Sequence, residues 1–208
     1  ARTAALVDYS AVAALKWPIL RQCHQRFQQR CLAVAGHPRG DAFRRFQHDG
    51  GLALRRFALY NAIAELQQQD DWRRWPAALR RPGSDAAMEL ARWRADELEF
   101  FQYLQWQLAL QLADVQAVAR RASMSLGVYG DVAVGADAAG AEVWCAQAQW
   151  LPGVSIGAPP DLLNLRGQDW GLPAPDPLAM QADACAHYRE LLQRNMAFAG
   201  ALRMDHVL

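Results

Sequence analysis

The chain has 208 residues, of which 52% are hydrophobic and 21% are charged, so it is long enough to bury roughly 70% of its unfolded surface in a globular fold. Its 22 Lys and Arg residues nearly balance its 21 Asp and Glu residues, which argues against nucleic acid as the principal partner. With no apolar stretch of membrane-spanning length and no signal-peptide pattern, we expect a cytoplasmic protein that does not bind membranes. Its apolar, uncapped end suggests a segment of a longer protein.

The first two-thirds of the chain has the periodicity of helices. An apolar stripe over residues 12–31 predicts a first helix, with Ser10 as a candidate N-cap and Pro18 at a kink or near the start. A short helix is then predicted around residues 43–46, and a longer one over 52–66. These elements form a predominantly helical region.

A further helical pattern runs from Ser84, a good N-cap, to Ala122. It is longer than an ordinary globular helix, so we predict two helices with a break near residues 94–96. We interpret residues 1–122 as a helical insertion or subdomain.

The pattern changes after Ala122. Apolar residues interleaved with glycines over residues 126–134 predict a short buried strand, with Asp131 at its C-terminal end. Residues 150–177 contain six prolines and predict a long loop, which Trp150 and Trp170 would keep ordered.

The last part of the chain predicts one helix and one strand. The helix covers residues 178–199, with Gly200 as its C-cap, and the strand covers 201–208. Strand, loop, helix and strand in this order are typical of a parallel α/β sheet, in which functional residues gather at the carboxyl ends of the strands. Two strands cannot close a barrel.

The densest charged cluster in an apolar context is Arg203-Met204-Asp205-His206. In a strand, Arg203 and Asp205 share one face about 7 Å apart, whereas Met204 and His206 point to the other. A guanidinium keeps a neighbouring carboxylate ionised, as a carboxylate nucleophile requires. The alternative is a buried structural Arg–Asp pair.

Four further positions could bind a sugar. Asp131 could orient a sugar or simply cap its loop. In the predicted loop, Asp161, Gln168 and Trp170 combine carboxylate, amide and aromatic groups, a mixture that suits carbohydrate. The alternative for this segment is an Ω-loop packed around its own tryptophan.

Other chemistries lack support in the sequence. The five histidines show no metal-ligand spacing with one another or with cysteine. The chain has no phosphate-binding glycine motif and no serine-nucleophile elbow. We therefore expect neither a metal nor a cofactor.

Seven segments, taken in order, resemble the amylomaltases, the bacterial 4-α-glucanotransferases of glycoside hydrolase family 77. The match runs across nearly the whole chain, and the final three motifs are highly specific. The segments are Val7-Asp8-Tyr9 with Lys16-Trp17-Pro18, Trp72-Arg73-Arg74-Trp75-Pro76, Phe101-Gln102-Tyr103-Leu104-Gln105-Trp106, Gly130-Asp131 with Ala141-Glu142-Val143-Trp144, Gly157-Ala158-Pro159-Pro160-Asp161, Gly167-Gln168-Asp169-Trp170-Gly171 and Ala201-Leu202-Arg203-Met204-Asp205-His206.

The resemblance implies a retaining transglycosylase that moves α-1,4-glucan segments between maltodextrins through a covalent glycosyl-aspartate. Asp205 matches the family's nucleophile, and Arg203 matches the arginine that supports it. The substrate-binding positions implied by the resemblance are Asp131, Asp161, Gln168, Trp170 and His206.

The resemblance also implies the fold class, α/β, as a helix-rich central segment of a (β/α)8 TIM barrel that is incomplete in this chain. Residues 123–208 would supply a barrel strand, a substrate-cleft loop over about 150–177, a helix and the nucleophile-bearing strand. In the family the general acid/base glutamate follows that last strand, so we expect the segment alone to be inactive. The oligomeric state stays open.

Two alternative functions remain at this point. One is a glucan-binding protein without catalysis, and the other is an α-glucan hydrolase on the same scaffold. The chain also departs from some members of the family at Leu162 and Leu163, where those members have aromatic residues. These two leucines cannot provide an aromatic ring for a sugar to stack on.

Overall fold

The computed structural model describes residues 6–206, which form a helix-rich structure with two small sheets. No helix within these residues has both the length and the apolar character needed to cross a membrane. The elements, in chain order, are α1 (Tyr9–Phe27), α2 (Pro38–Gln67), α3 (Asp85–Trp93), α4 (Ala95–Arg121), β1 (Tyr129–Val132), α5 (Ala141–Cys145), β2 (Trp150–Ala158), β3 (Gln168–Pro175), α6 (Pro177–Ala182), α7 (Ala186–Met196) and β4 (Ala201–Met204).

The first helix begins earlier than the sequence predicted. The Asp8 carboxylate accepts a hydrogen bond from the backbone N–H of Ala11 at 2.9 Å and is therefore the N-cap, so the assignment of Ser10 is wrong. Pro18 lies inside α1, which continues into a π-helical segment, Gln28–Leu32. The helix is nearly continuous, but Leu15 and Ile19 of the predicted apolar stripe are 67% and 55% exposed. The buried residues of α1 are His24 and Phe27.

The predicted breaks in the later helices are confirmed. The backbone of α2 leaves the helical conformation at Gly51, where φ is 52°, and this separates a shorter from a longer helical half. Arg94 separates α3 from α4. The hydroxyl of Ser84 accepts from the N–H of Ala87 at 3.3 Å, as expected of the N-cap of α3.

A buried aromatic cluster joins the helical region to the rest of the chain. Trp75 and Trp144 are 1% and 0% exposed, and both pack against Tyr60. The indole N–H of Trp144, on α5, donates to the carbonyl of Leu79 at 3.1 Å. The segment that follows β1 is therefore anchored in the helical core.

The predicted parallel pairing is confirmed for β1 and β4. Their register sets Tyr129 opposite Ala201 and Asp131 opposite Arg203. The first strand covers four residues, fewer than the range 126–134 that its apolar pattern predicted. The helix α7 packs against both strands, so the sheet is covered on one side by the crossover helix.

The predicted loop over residues 150–177 is wrong, because β2 and β3 form an antiparallel hairpin. The pairing runs from Trp150 opposite Pro175 to Ala158 opposite Gln168, with two register irregularities. A two-stranded ribbon has only edge strands, and edge strands tolerate proline. The prolines of this segment therefore favour a loop in a prediction from sequence, although they are compatible with the hairpin that forms.

The predicted helix over residues 178–199 is two helices, α6 and α7. Between them, Ala184 and Cys185 have φ values of 53° and 58°, which ends the first helix. The Asp183 carboxylate then accepts from the N–H of Ala186 at 3.1 Å. This side chain stabilises the break, since it bonds a backbone donor that a continuous helix would satisfy itself.

Gly200, just before β4, permits a close approach that sets the position of that strand. Its N–H donates to the carbonyl of Val128 at 2.8 Å, and a methyl group at residue 200 would overlap the backbone carbonyl of Leu126. We expect Gly200→Ala to lower the free energy of unfolding by about 1–3 kcal/mol, measured by urea denaturation.

Gly83→Ala is the matched control for Gly200→Ala. A methyl group at residue 83 meets no atom within 4 Å, so this change should alter the free energy of unfolding by less than about 0.5 kcal/mol. Equal destabilisation by the two variants would contradict the role assigned to Gly200.

Candidate active site

Two carboxylates share one guanidinium at the carboxyl ends of the parallel strands. Arg203 Nη1 lies 3.3 Å from Asp131 Oδ2, and Arg203 Nη2 lies 2.6 Å from Asp205 Oδ2. The strand register places Asp131 beside Arg203, and Asp205, directly after the end of β4, directs its carboxylate to the same guanidinium. The structure therefore brings these three predicted residues together.

This cluster is open to solvent and to ligands. Within these 208 residues the side chains of Asp131, Arg203 and Asp205 are 61%, 52% and 42% exposed, so the alternative of a buried structural ion pair does not describe them in this chain. Exposed ion pairs contribute only about 0–1 kcal/mol to stability. The guanidinium serves here to orient the two carboxylates through charge-assisted hydrogen bonds.

His206 and Trp170 extend the cluster toward the hairpin. The backbone of His206 is left-handed, with φ of 52°, so strand alternation ends at Met204 and the predicted opposite orientation of His206 is wrong. Its Nε2 lies 3.8 Å from Asp205 Oδ2. Its ring packs edge-on against Trp170, with 4.6 Å between ring centroids.

The remaining predicted residues lie on the hairpin. Gln168 Oε1 accepts from the indole N–H of Trp170 at 3.2 Å, which places Gln168 beside Trp170. Asp161 instead caps its own turn, accepting from the N–H groups of Leu163 and Asn164 at 2.8 and 2.6 Å. Asp161 therefore makes no hydrogen bond or ion pair with the three charged residues.

Asp169 has a structural role that the sequence analysis missed. Its Oδ1 accepts from the Ser155 hydroxyl across the hairpin at 2.6 Å and from the N–H of Gly171 at 2.8 Å. These hydrogen bonds, chiefly that of Ser155, lower the pKa of the Asp169 carboxyl. No sequence pattern indicated this contact, because the strand register sets Ser155 opposite Pro173 and Asp169 opposite Gly157.

A cavity of about 370 Å³ lies behind the two parallel strands. Val132 and Met204 line it, and strand alternation points their side chains away from the charged face. In its wall, His187 Nε2 lies 2.9 Å from Glu142 Oε1, and this contact raises the pKa of His187. No sequence signal indicated this pair, because its members are on separate helices.

The chemistry available to the cluster is that of carboxylate, guanidinium and imidazole groups. Within residues 6–206, no three His, Cys, Asp or Glu side chains converge where a metal ion could be held. An ionised carboxylate held by a guanidinium can act as a nucleophile toward an electrophilic carbon. The nearby indole and amide groups suit a polyhydroxylated ligand.

Fold and site together define an α/β protein whose acidic residues lie at the carboxyl ends of adjacent parallel strands, where TIM-barrel enzymes carry their active sites. A family model described as 4-alpha-glucanotransferase matches residues 1–208. The chain therefore belongs to glycoside hydrolase family 77, as the sequence motifs predicted.

A relative with the same family description is similar to most of this chain. A 4-alpha-glucanotransferase of Mycobacterium bovis is 43% identical over 169 residues, covering 80% of this chain and 23% of that protein. The chain thus spans about a quarter of that relative's length.

Two solved structures share the fold. An amylomaltase from Streptococcus agalactiae, determined in complex with acarbose, superimposes with a TM-score of 0.82 at 19% identity, covering 96% of this chain and 40% of that one. The amylomaltase from Corynebacterium glutamicum gives 0.72 at 30% identity, covering 95% and 25%. The helix-rich architecture with its small parallel sheet is therefore the amylomaltase fold over this part of the chain.

The Asp169 carboxyl should titrate below its ordinary pKa of 3.8. Because the folded pKa is lowered, its stabilising contribution is complete above the unfolded value and disappears as pH falls through the folded value. The Gly171 amide resonance, followed by NMR during acid titration, should report this midpoint. Ser155→Ala should move the midpoint up toward 3.8, and an unchanged midpoint would contradict the assigned cause.

Proposed function

We propose that the full-length protein is a retaining 4-α-glucanotransferase that moves α-1,4-glucan segments between maltodextrins. The observation that carries this proposal is the Arg203 guanidinium bound to both Asp131 and Asp205, in a chain that belongs to this family. The name of the M. bovis relative supports the same reaction.

Asp205 is the proposed nucleophile. One carboxylate oxygen attacks the anomeric carbon of the donor glucan, the bond to the leaving sugar breaks, and a covalent glycosyl-aspartate forms. Arg203 fixes the orientation of Asp205 through the 2.6 Å contact. Asp131, on the other side of the guanidinium, is proposed to accept hydrogen bonds from sugar hydroxyls.

The hairpin is proposed to cover the bound glucan. Trp170 offers an aromatic surface for a pyranose ring, while Gln168 and His206 offer polar groups beside it. Asp161 is the remaining proposed contact, through its turn at the end of the hairpin. Binding of acarbose by the S. agalactiae amylomaltase supports a glucan ligand here, and a closed hairpin would keep water from the intermediate.

The general acid/base is proposed to lie outside these 208 residues. A retaining reaction needs a second carboxylate about 5–5.5 Å from the nucleophile, first to protonate the leaving oxygen and then to activate the acceptor. In the family, the glutamate for this role follows the strand that carries the nucleophile, which here is β4. We therefore propose that the 208 residues alone are inactive.

The resemblance to the amylomaltases also supports the domain organisation that we propose. Residues 1–122 form a helical subdomain inserted in a (β/α)8 barrel, and residues 123–208 contribute two of its strands. The anchoring of α5 in the helical core by Trp144 supports a fixed attachment between the two parts.

The reaction can be tested with maltotriose. The full-length protein should yield glucose together with a ladder of longer maltodextrins, separated by size, and the 208-residue polypeptide should yield none. Glucose and maltose without longer products would mean hydrolysis. Binding without products would identify a glucan-binding protein instead.

Asp205→Asn in the full-length protein should lower the rate of transfer by about 10³-fold or more, because a carboxamide is nearly isosteric but a poor nucleophile. Affinity for maltodextrin, measured by calorimetry, should stay within a few-fold of the unmodified protein. Asp49→Asn, the same chemical change at an exposed residue paired with His48, is the control. Retained turnover in Asp205→Asn would rule out its role as the nucleophile.

A further inference from the structure

His187 lies where three elements around the candidate site meet. Its Nε2 contacts Glu142 of α5 at 2.9 Å, and its ring packs edge-on against Trp150 of β2, with 5.9 Å between centroids. The next residue, Tyr188, donates its hydroxyl to the Met204 sulfur of β4 at 3.3 Å. The start of α7 therefore connects α5, the hairpin and the strand that leads to the proposed nucleophile.

The His187–Glu142 pair also forms a wall between two spaces. It lines the cavity of about 370 Å³ behind the parallel strands, which also reaches Met204 and Asp205. It lines as well a groove of about 740 Å³ on the side of α2 and α4. Leu191 of α7 also lines both spaces.

The charges around His187 favour its protonated form. Glu142 faces it from α5, Glu190 from its own helix and Asp183 from the segment before that helix, and the hydrogen bond to Glu142 is the main reason that its pKa is raised. The other titratable side chains that line the two spaces are Asp205, His206, Tyr188, Cys145, Arg56 and Arg194. Arg56 donates to the Cys145 carbonyl at 3.0 Å, and Arg194 pairs with Glu190 at 3.2 Å.

The direction in which pH changes the contact between His187 and Glu142 follows from the raised pKa of His187. His187 gains a partner in the folded protein, so the charged contact is complete below the ordinary pKa of 6.5 and is lost as pH rises through the higher folded value. Above that value a neutral hydrogen bond remains, which is weaker than the charge-assisted one.

We propose that the ion pair between His187 and Glu142 is a positioning contact that holds β4, and with it Asp205, in the geometry for glucan transfer, and that its loss lowers transfer at alkaline pH. This inference rests on the proposed function. The contact acts through Tyr188 and Met204, since Met204 lies between Arg203 and Asp205 in the strand. Neither His187 nor Glu142 is a catalytic residue.

The test compares the full-length protein with His187→Gln in maltotriose disproportionation from pH about 6 to about 9. The kcat of the unmodified protein should exceed that of the variant about two- to fivefold at the acidic end, the range expected of a partly exposed pair. The ratio should approach one at the alkaline end, with KM unchanged. His48→Gln, a histidine with an 89% exposed side chain, should follow the unmodified profile.

Glu142→Gln provides a second variant in case His187→Gln folds poorly, and its kcat should show the same loss at acidic pH. Parallel pH profiles of the unmodified protein and both variants, or an effect on KM alone, would overturn the proposal.

A second readout is independent of activity and so separates failure of this inference from failure of the proposed function. In the full-length protein with labelled histidine and methionine methyl groups, the Met204 methyl resonance should shift with the same midpoint as the His187 ring. Glu142→Gln should lower both midpoints. A Met204 resonance that ignores the titration of His187 would refute the coupling, whether or not the protein transfers glucan.

Discussion

The candidate site depends on the pairing of two short parallel strands. The register of β1 and β4 sets Asp131 beside Arg203, and a shift by one residue would send one of them to the opposite face. Each strand has only four residues, so the ladder alone cannot fix this register firmly. The constraint comes from its surroundings, because α7 packs on both strands and Gly200 allows the close approach to Leu126.

The helical region supplies the rigid support that such a small sheet lacks. Trp75, Tyr60 and Trp144 form a buried aromatic contact between α2, the turn after it and α5. Buried aromatic side chains contribute much of the energy of a core and fix its geometry. Since α5 also carries Glu142, one short helix connects this core to the wall of the cavity behind the strands. The aromatic core of the helical region and the cavity behind the strands are thus connected through α5.

The sequence predicted features that depend on local chemistry and missed those that depend on distant pairing. The break at Arg94 and the cap at Ser84 follow from helix length and a hydroxyl side chain. The hairpin was missed because its prolines are more common in loops, and the contact between His187 and Glu142 joins residues on separate helices. The roles of all the site residues stay predictions, as does the cytoplasmic location; these residues are Asp205, Arg203, Asp131, Asp161, Gln168, Trp170 and His206.

The left-handed backbone at His206 has an evolutionary consequence. A non-glycine residue in this conformation costs of order 1–3 kcal/mol, so glycine would relieve strain directly after Asp205. Glycine would also remove the imidazole that packs against Trp170, and the hairpin would lose its aromatic contact with the strand end. Selection for stability would favour glycine at residue 206, whereas selection for an ordered cleft would favour histidine. A substitution that stabilises the fold would therefore loosen the contact that positions Trp170.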